Sequence, residues 1–287
     1  MSGAPDTRRM SIRDFACFPL LMAFAGCSHG APPSSSPTPA EPSTAAAPAA
    51  TKASDAAVPA YVRAVVEAAD RSDADRALDA GRKPELTLAF FGIQPGMRVA
   101  EIGAGLGYTS ELLARVVGKE GKVYAQNSPL ILEKFASGPW TERLAKPALV
   151  SLGNVVRADR QFDDPLPPEA KDLDAVLDVL FYHDTVWLGV DREKMNRAVY
   201  AALKPGGVYG IVDHSGLPGS GVSGVQTVHR IEEKVVRDEV EHAGFRLVAE
   251  ASFLRNPSDS RDWNDSPRAA GERRGTSDRF VLKFQKP

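Results

Sequence analysis

The chain has 287 residues, of which 43% are apolar and 25% charged, with a formal net charge of −2. That length suits one large domain with a tail or two small domains, and the composition is that of a globular protein. The balanced charge excludes the global basic field of a nucleic-acid binder, and because both cysteines, Cys17 and Cys27, precede residue 28, disulfides, thiol nucleophiles and Cys-type zinc sites are excluded from the remainder.

Arg8, Arg9 and Arg13 form a basic start, and Phe15 to Ala25 is an apolar run too short to span a bilayer. The run ends in Phe24-Ala25-Gly26-Cys27-Ser28, which resembles a bacterial lipobox, with Phe24 where such signals usually carry Leu. Thr7-Arg8-Arg9 also resembles, faintly, a twin-arginine signal. The lipobox implies a signal peptide over 1–27, a lipid anchor at Cys27 and a membrane-anchored protein facing the periplasm. The alternatives are a start at Met10 or further in, or a tail of incidental apolar residues; the protein is cytoplasmic if the signal is not used. Residues 28–57 are rich in Pro, Ala, Ser and Thr and bury little apolar surface, so they read as a disordered tether to a domain over 58–287.

Tyr61, Val65 and Ala68 recur at helical spacing and predict a helix over Val58 to Ala69. Asp73 caps a second helix to about Asp79, and Pro84 opens a third, Pro84 to Phe91, ended by Gly92 and Pro95-Gly96. Arg76, Asp79 and Arg82 read as solvated helix charges, with reach into an active site as the alternative.

Met97 to Ile102 reads as a buried strand, followed by a glycine turn and a helix from Thr109 to Val117. Glu101, Gly103, Gly105 and Gly107 spell acidic-x-Gly-x-Gly-x-Gly, with Ala104 and Tyr108 inside the turn. Glycine lets the chain reverse between strand and helix and lets a ligand approach the backbone. The dinucleotide fingerprint Gly-x-Gly-x-x-Gly fits poorly, since it needs glycine where Tyr108 or Ser110 stands. The motif resembles that of class I S-adenosyl-L-methionine (SAM)-dependent methyltransferases, and later landmarks extend the resemblance over roughly residues 73–287. It implies an α/β, Rossmann-like, seven-stranded and mostly parallel sheet in the order 3-2-1-4-5-7-6, with helices on both faces. It also implies that the loop of Gly103, Ala104, Gly105, Gly107 and Tyr108 passes under the methionine part of SAM, supported by Glu101.

Gly121 to Asn127 is the second strand, ending in Gln126-Asn127 where the family usually has the acidic residue that holds the ribose hydroxyls. Asn127 is the candidate for that role, although an amide is not a charged acceptor. Val155 to Asp159 is the third strand, and the resemblance gives Asp159 an adenine contact; a turn cap is the alternative. Leu173 to Phe181, apolar on both faces, is a central parallel strand. The resemblance turns its Asp178 toward the methionine end of SAM. His183 and Asp184 follow at its carboxyl end, where open α/β sheets bind ligands.

Met195 to Leu203 is a crossover helix, and Leu203-Lys-Pro-Gly-Gly207, a family landmark, leads to a fifth strand that delivers Asp213-His214. A glycine-rich loop follows, then one helix opened by Gln226, His229 and Arg230 and running to His242. Two last strands, Ala243 to Glu250 and Arg279 to Phe284, close the sheet as an antiparallel pair. The long segment Arg255 to Asp278, with Trp263 and five arginines, reads either as a cover that binds an acidic or planar substrate or as a solvated excursion.

His183, Asp184, Asp213 and His214 are the candidate catalytic residues. Methyl transfer is an in-line displacement that needs a base only when the acceptor carries a proton to lose. One variant makes His183 or His214 that base. Another has Asp184, Asp213 and His214 hold a divalent metal; metal-dependent catechol-type O-methyltransferases place ligands after the same two strands, but have Asn where this chain has His214. No metal is expected otherwise. The expected activity is methyl transfer from SAM to a small-molecule oxygen or nitrogen acceptor, with no nucleic-acid partner. A binding module of the same fold, exported as a lipoprotein, is the alternative. Gly105 to Arg115 also resembles protein-repair carboxyl methyltransferases.

Overall fold

The computed structural model describes Thr51–Lys52 and residues 57–287. The signal, Cys27 and all but residues 51, 52 and 57 of the expected tether lie outside the described residues. Thr51–Lys52 is strand β1, and three short helices follow: α1 (Ala60–Val66), α2 (Asp73–Arg82) and α3 (Pro84–Phe91). The first αβ unit is β2 (Arg98–Ile102), α4 (Tyr108–Val117) and β3 (Lys122–Asn127). Next come α5 (Pro129–Ile131), a π turn (Leu132–Ala136), α6 (Ser137–Leu144), α7 (Pro147–Leu152) and β4 (Val155–Asp159). The second half is β5 (Leu173–Val179), α8 (Asp184–Trp187), α9 (Arg192–Ala202), β6 (Leu203–His214), α10 (Val225–Val228), α11 (Glu233–His242), β7 (Arg246–Ala251) and β8 (Arg279–Gln285).

One sheet carries all the strands, in the order β1-β7-β8-β6-β5-β2-β3-β4, with β8 antiparallel to both its neighbours and the rest parallel. Without β1 this is the expected seven-stranded order 3-2-1-4-5-7-6. Thr51–Lys52, assigned to the tether by composition, adds a two-residue edge strand to that sheet, pairing in parallel with Ala249 and Glu250.

Alternation along the strands builds two cores. Val99, Val123, Ala175, Leu177, Val212 and Val281 face α1, α3 and α4, while Ala100, Tyr124, Val176, Tyr209, Ile211 and Leu282 face α9 and α11. Both faces of β5 are covered, which is why its sequence reads apolar throughout. No helix among the described residues is long and apolar enough to cross a membrane.

Boundaries moved where local signals compete with tertiary contacts. Helix α2 is capped by Ser72, whose hydroxyl accepts the Asp75 N–H, and not by Asp73. Helix α1 is shorter than the periodic stretch. Strand β6 begins at Leu203, since Leu203 already pairs with Leu173 before an irregularity brings Val208 opposite Ala175. The single helix expected from Gln226 to His242 is two. His229 turns left-handed at φ 60°, and Ile231 bridges to Ser215 before α11 begins. The helices of residues 129–152 were not expected from the sequence.

Candidate active site

Parallel register brings Glu101 of β2, Asn127 of β3, Asp178 of β5 and Asp213 of β6 to one edge of the sheet. Gly103, Gly105 and Gly107 lie at φ 68°, 56° and 81°, a region closed to most side chains. The two amides that end β3 hold this loop. Gln126 Oε1 accepts the Gly103 N–H at 3.0 Å, and its Nε2 donates to the Arg160 carbonyl at 2.6 Å. Asn127 Oδ1 accepts the Gly105 N–H at 2.8 Å while its Nδ2 donates to the Gly105 carbonyl at 3.0 Å. Asn127, read as the ribose anchor, is fully buried and engaged with the loop itself. The Ala104 N–H donates to the Gln126 carbonyl. Asp159, read as an adenine contact, lies beside Asn127 in register, half-exposed and paired with Arg157 at 2.8 Å.

Aromatic rings close over the loop. A Cβ on Gly103 would fall 2.2 Å from the Phe181 ring, and one on Gly107 would fall 2.2 Å from Trp140. Phe181 stacks on Phe162 with centroids 4.8 Å apart. Trp140 is brought in by α6, which Arg143 clamps through Asp75 of α2, Glu111 of α4 and the Leu106 carbonyl. Neither ring was singled out from sequence, because both lie far from the glycine motif along the chain.

Two carboxyls sit beneath. Glu101 is buried and accepts the Ser110 hydroxyl; burial pushes its carboxyl up to about 7 against that hydrogen bond. Asp178 is fully buried and neither of its oxygens has a hydrogen-bond partner. Burial, then Asp213, push it well above the usual carboxylate range. Unpartnered buried carboxyls are rare in native proteins and call for a ligand or a function.

The chain leaves β5 through Leu180, left-handed at φ 60°, and places His183 against β6. His183 is fully buried. Its Nδ1 lies 2.6 Å from Asp213 Oδ1 and its backbone N–H donates to Asp213 Oδ2 at 2.7 Å. Its Nε2 has no hydrogen-bond partner and faces Asp184 Oδ1 at 3.3 Å. Burial opposes a charge on His183, yet Asp213 and Asp184 outweigh it and raise the imidazole to about 9. His229, which sequence reading placed only at a helix start, packs edge-on against His183 with centroids 4.1 Å apart, its Nδ1 3.8 Å from Asp184 Oδ1. Burial and then the neighbouring His183 hold His229 below the ordinary imidazole range. The two left-handed residues Leu180 and His229 each cost about 1–3 kcal/mol, and such strain concentrates at functional sites.

His214 stands behind this trio. Its Nδ1 is 3.0 Å from Ser277 Oγ and 2.5 Å from Asp265 Oδ2, and burial takes it down to about 4. Of the four candidate catalytic residues, His183 and Asp184 thus meet directly, Asp213 serves His183, and His214 is engaged with the segment Arg255 to Asp278. Two of that segment's five arginines are held in ion pairs. Arg255 pairs with Glu233 and Asp278, and Arg261 with Asp278. Buried Arg230 pairs with Asp259 at 2.7 Å and lies over Trp263.

Beside the loop, Tyr108 donates to Asp79 at 2.5 Å, and Asp79 pairs with Arg71. Arg76 reaches only the Ala68 carbonyl. Arg82 lies over the Tyr108 ring at 4.5 Å and, with Arg279, borders a small cleft lined also by Leu88, Leu112 and Val212. Of the three lead-in charges, Arg82 alone reaches a cleft.

Residues 73–133, less than a quarter of the chain, match the family of protein-L-isoaspartate(D-aspartate) O-methyltransferases. No curated protein matches the chain. Among solved structures, a SAM-dependent methyltransferase from Aquifex aeolicus is similar at 19% identity, covering 76% of this chain and 100% of its own, with a TM-score of 0.51. The fold is that of SAM-dependent methyltransferases. A Galdieria sulphuraria protein described as a sarcosine dimethylglycine methyltransferase is 19% identical over 74% of this chain and 85% of its own, with a TM-score of 0.50. The [4+2]-cyclase SpnF is 16% identical over 77% of this chain and 85% of its own, also with a TM-score of 0.50. One fold thus carries more than one chemistry, and function has to be argued from the site.

Proposed function

We propose that the chain is a SAM-dependent methyltransferase acting on a small-molecule oxygen or nitrogen acceptor. The observation that carries this reading is Asp178, a buried carboxyl with neither oxygen bonded, at the sheet edge between the glycine loop and the histidine cluster. A cationic cofactor group suits that position, and the glycine loop is open at Gly105, where an added Cβ would meet only the Gly103 carbonyl at 3.9 Å. The residues present therefore fit SAM, provided Phe181 swings off Gly103. SAM supplies an activated methyl group on a sulfonium. The chain supplies the cradle of Gly103, Gly105 and Gly107, the unpartnered carboxyl of Asp178, and alignment of the acceptor. Asp184 and His229, the partly exposed members of the trio, meet that acceptor. Export as a lipoprotein anchored at Cys27, with the cytoplasm as alternative, belongs to the proposal.

Calorimetric titration of SAM and S-adenosylhomocysteine into the full chain tests the reading, with Gly105→Val as control because Gly105 sits at φ 56°. Micromolar binding, lost in the variant, is the expected result. Absence of binding in the wild type leaves the binding module as the better account.

A second reading, methylation of isoaspartyl carboxyls in proteins, is favoured by the match over residues 73–133. That match ends before β5 and β6, which carry the acceptor-side residues. Methyl transfer to an isoaspartyl peptide would decide for it.

A further inference from the structure

The trio His183, Asp184 and His229 has a feature that an ordinary charge cluster lacks. His183 Nδ1 is fixed by Asp213, so the ring cannot turn, and Nε2 is left buried, without a partner and aimed at Asp184. Nε2 and Asp184 Oδ1 stand 3.3 Å apart with no hydrogen bond made by Nε2. The ligand atoms of His183, Asp184 and His229 all lie within 4.8 Å of one another. Ligands held about 2.0–2.2 Å from a common ion stand roughly 3–3.5 Å apart in tetrahedral or cis positions, and the measured 3.3 and 3.8 Å are close to that spacing.

We infer that His183 Nε2, Asp184 and His229 Nδ1 form a binding site for a divalent first-row transition ion. Two imidazoles and one carboxylate suit Zn(II), Fe(II) or Co(II), whereas Mg(II) and Ca(II) prefer all-oxygen shells. Asp213 plays the outer part usual at such centres, a carboxylate that fixes the tautomer and orientation of a ligating histidine. Trp187 donates to Asp184 Oδ1 at 2.6 Å and orients the carboxylate in the same way. Asp213 and His214, members of the ligand set considered from sequence, are engaged elsewhere, Asp213 with His183 and His214 with Ser277 and Asp265. The signal that sequence reading passed over was His229.

Three protein ligands leave open positions on the ion, and Asp184 and His229 are each partly exposed, so a substrate can reach it. Under the methyltransferase reading, the acceptor would be one with a metal-binding oxygen, whose pKa a bound ion would lower so that its proton could leave to solvent. The site itself does not depend on that reading.

The test is titration of Co(II) and Zn(II) into the untagged full chain, followed by calorimetry and by the visible absorption of bound Co(II). One ion per chain is expected, with affinity reduced at least about 100-fold in both His229→Gln and Asp184→Asn and about 10–100-fold in Asp213→Asn. The exposed His242→Gln serves as a control and binds as wild type. His229→Gln changes a partly exposed loop residue, and unchanged circular dichroism shows that it folds. No binding by the wild type, or equal binding by the His229 and Asp184 variants, overturns the assignment. SAM titrated into the same protein without metal reports on the methyltransferase reading separately.

Discussion

Asn127 grips Gly105 from both sides, accepting its N–H at 2.8 Å and donating to its carbonyl at 3.0 Å. An amide does both, whereas an ionised carboxylate can only accept. Asn127→Asp therefore sets a carboxylate oxygen against the Gly105 carbonyl, and the expected loss of stability is about 1–3 kcal/mol. Thermal unfolding measures it. A variant of unchanged stability that binds SAM more tightly would return Asn127 to the ribose role read from sequence.

Asp178 has no partner to lose within the protein. Asp178→Asn is expected to keep wild-type stability or gain slightly at neutral pH, while SAM affinity drops about 10–100-fold, or about 1.4–2.8 kcal/mol. Calorimetry on both proteins decides this, and equal affinity would remove Asp178 from the cofactor site.

Phe181 covers Gly103. Phe181→Ala is expected to cost about 3–5 kcal/mol of stability and yet to tighten binding of S-adenosylhomocysteine, because the ring no longer has to be displaced. Weaker binding by a folded variant would make the ring a wall of the site and not a cover.

Glu101 gives stability a pH dependence. In the folded chain its carboxyl titrates near 7, against an ordinary value of 4.5. Between those values the folded state keeps a proton that the unfolded state has released, so stability falls as pH rises through the window and then levels off. The shift corresponds to a loss on the order of 3 kcal/mol. Glu101→Gln is expected to flatten this slope in thermal unfolding scans at about pH 5 and about pH 8. A slope identical to wild type would mean another group is responsible.

Arg230 and Asp259 form a buried ion pair that ties the segment 255–278 to the chain before α11. Arg230→Met leaves Asp259 without that partner and is expected to cost about 3–5 kcal/mol. Limited proteolysis should then cut within the segment, where the wild type resists.

The sheet was legible in the sequence because parallel strands buried on both faces carry their own signature, as in Leu173 to Val179, and because glycine at 103, 105 and 107 marks a turn that few other residues can make. Those are local properties of the chain, written in periodicity and backbone sterics, and they placed the strands; their order, 3-2-1-4-5-7-6, came with the resemblance to SAM-dependent methyltransferases. What local patterns do not contain is which distant side chain fills a given space. Trp140 over Gly107, Phe181 over Gly103, Asp265 against His214 and His229 against His183 are contacts between residues far apart in the chain. They are decided by packing and by the pairing of buried polar groups, and only the tertiary structure resolves them. The same packing split the helix expected from Gln226 to His242, because the bridge from Ile231 to Ser215 and the left-handed turn at His229 outweigh local helix propensity.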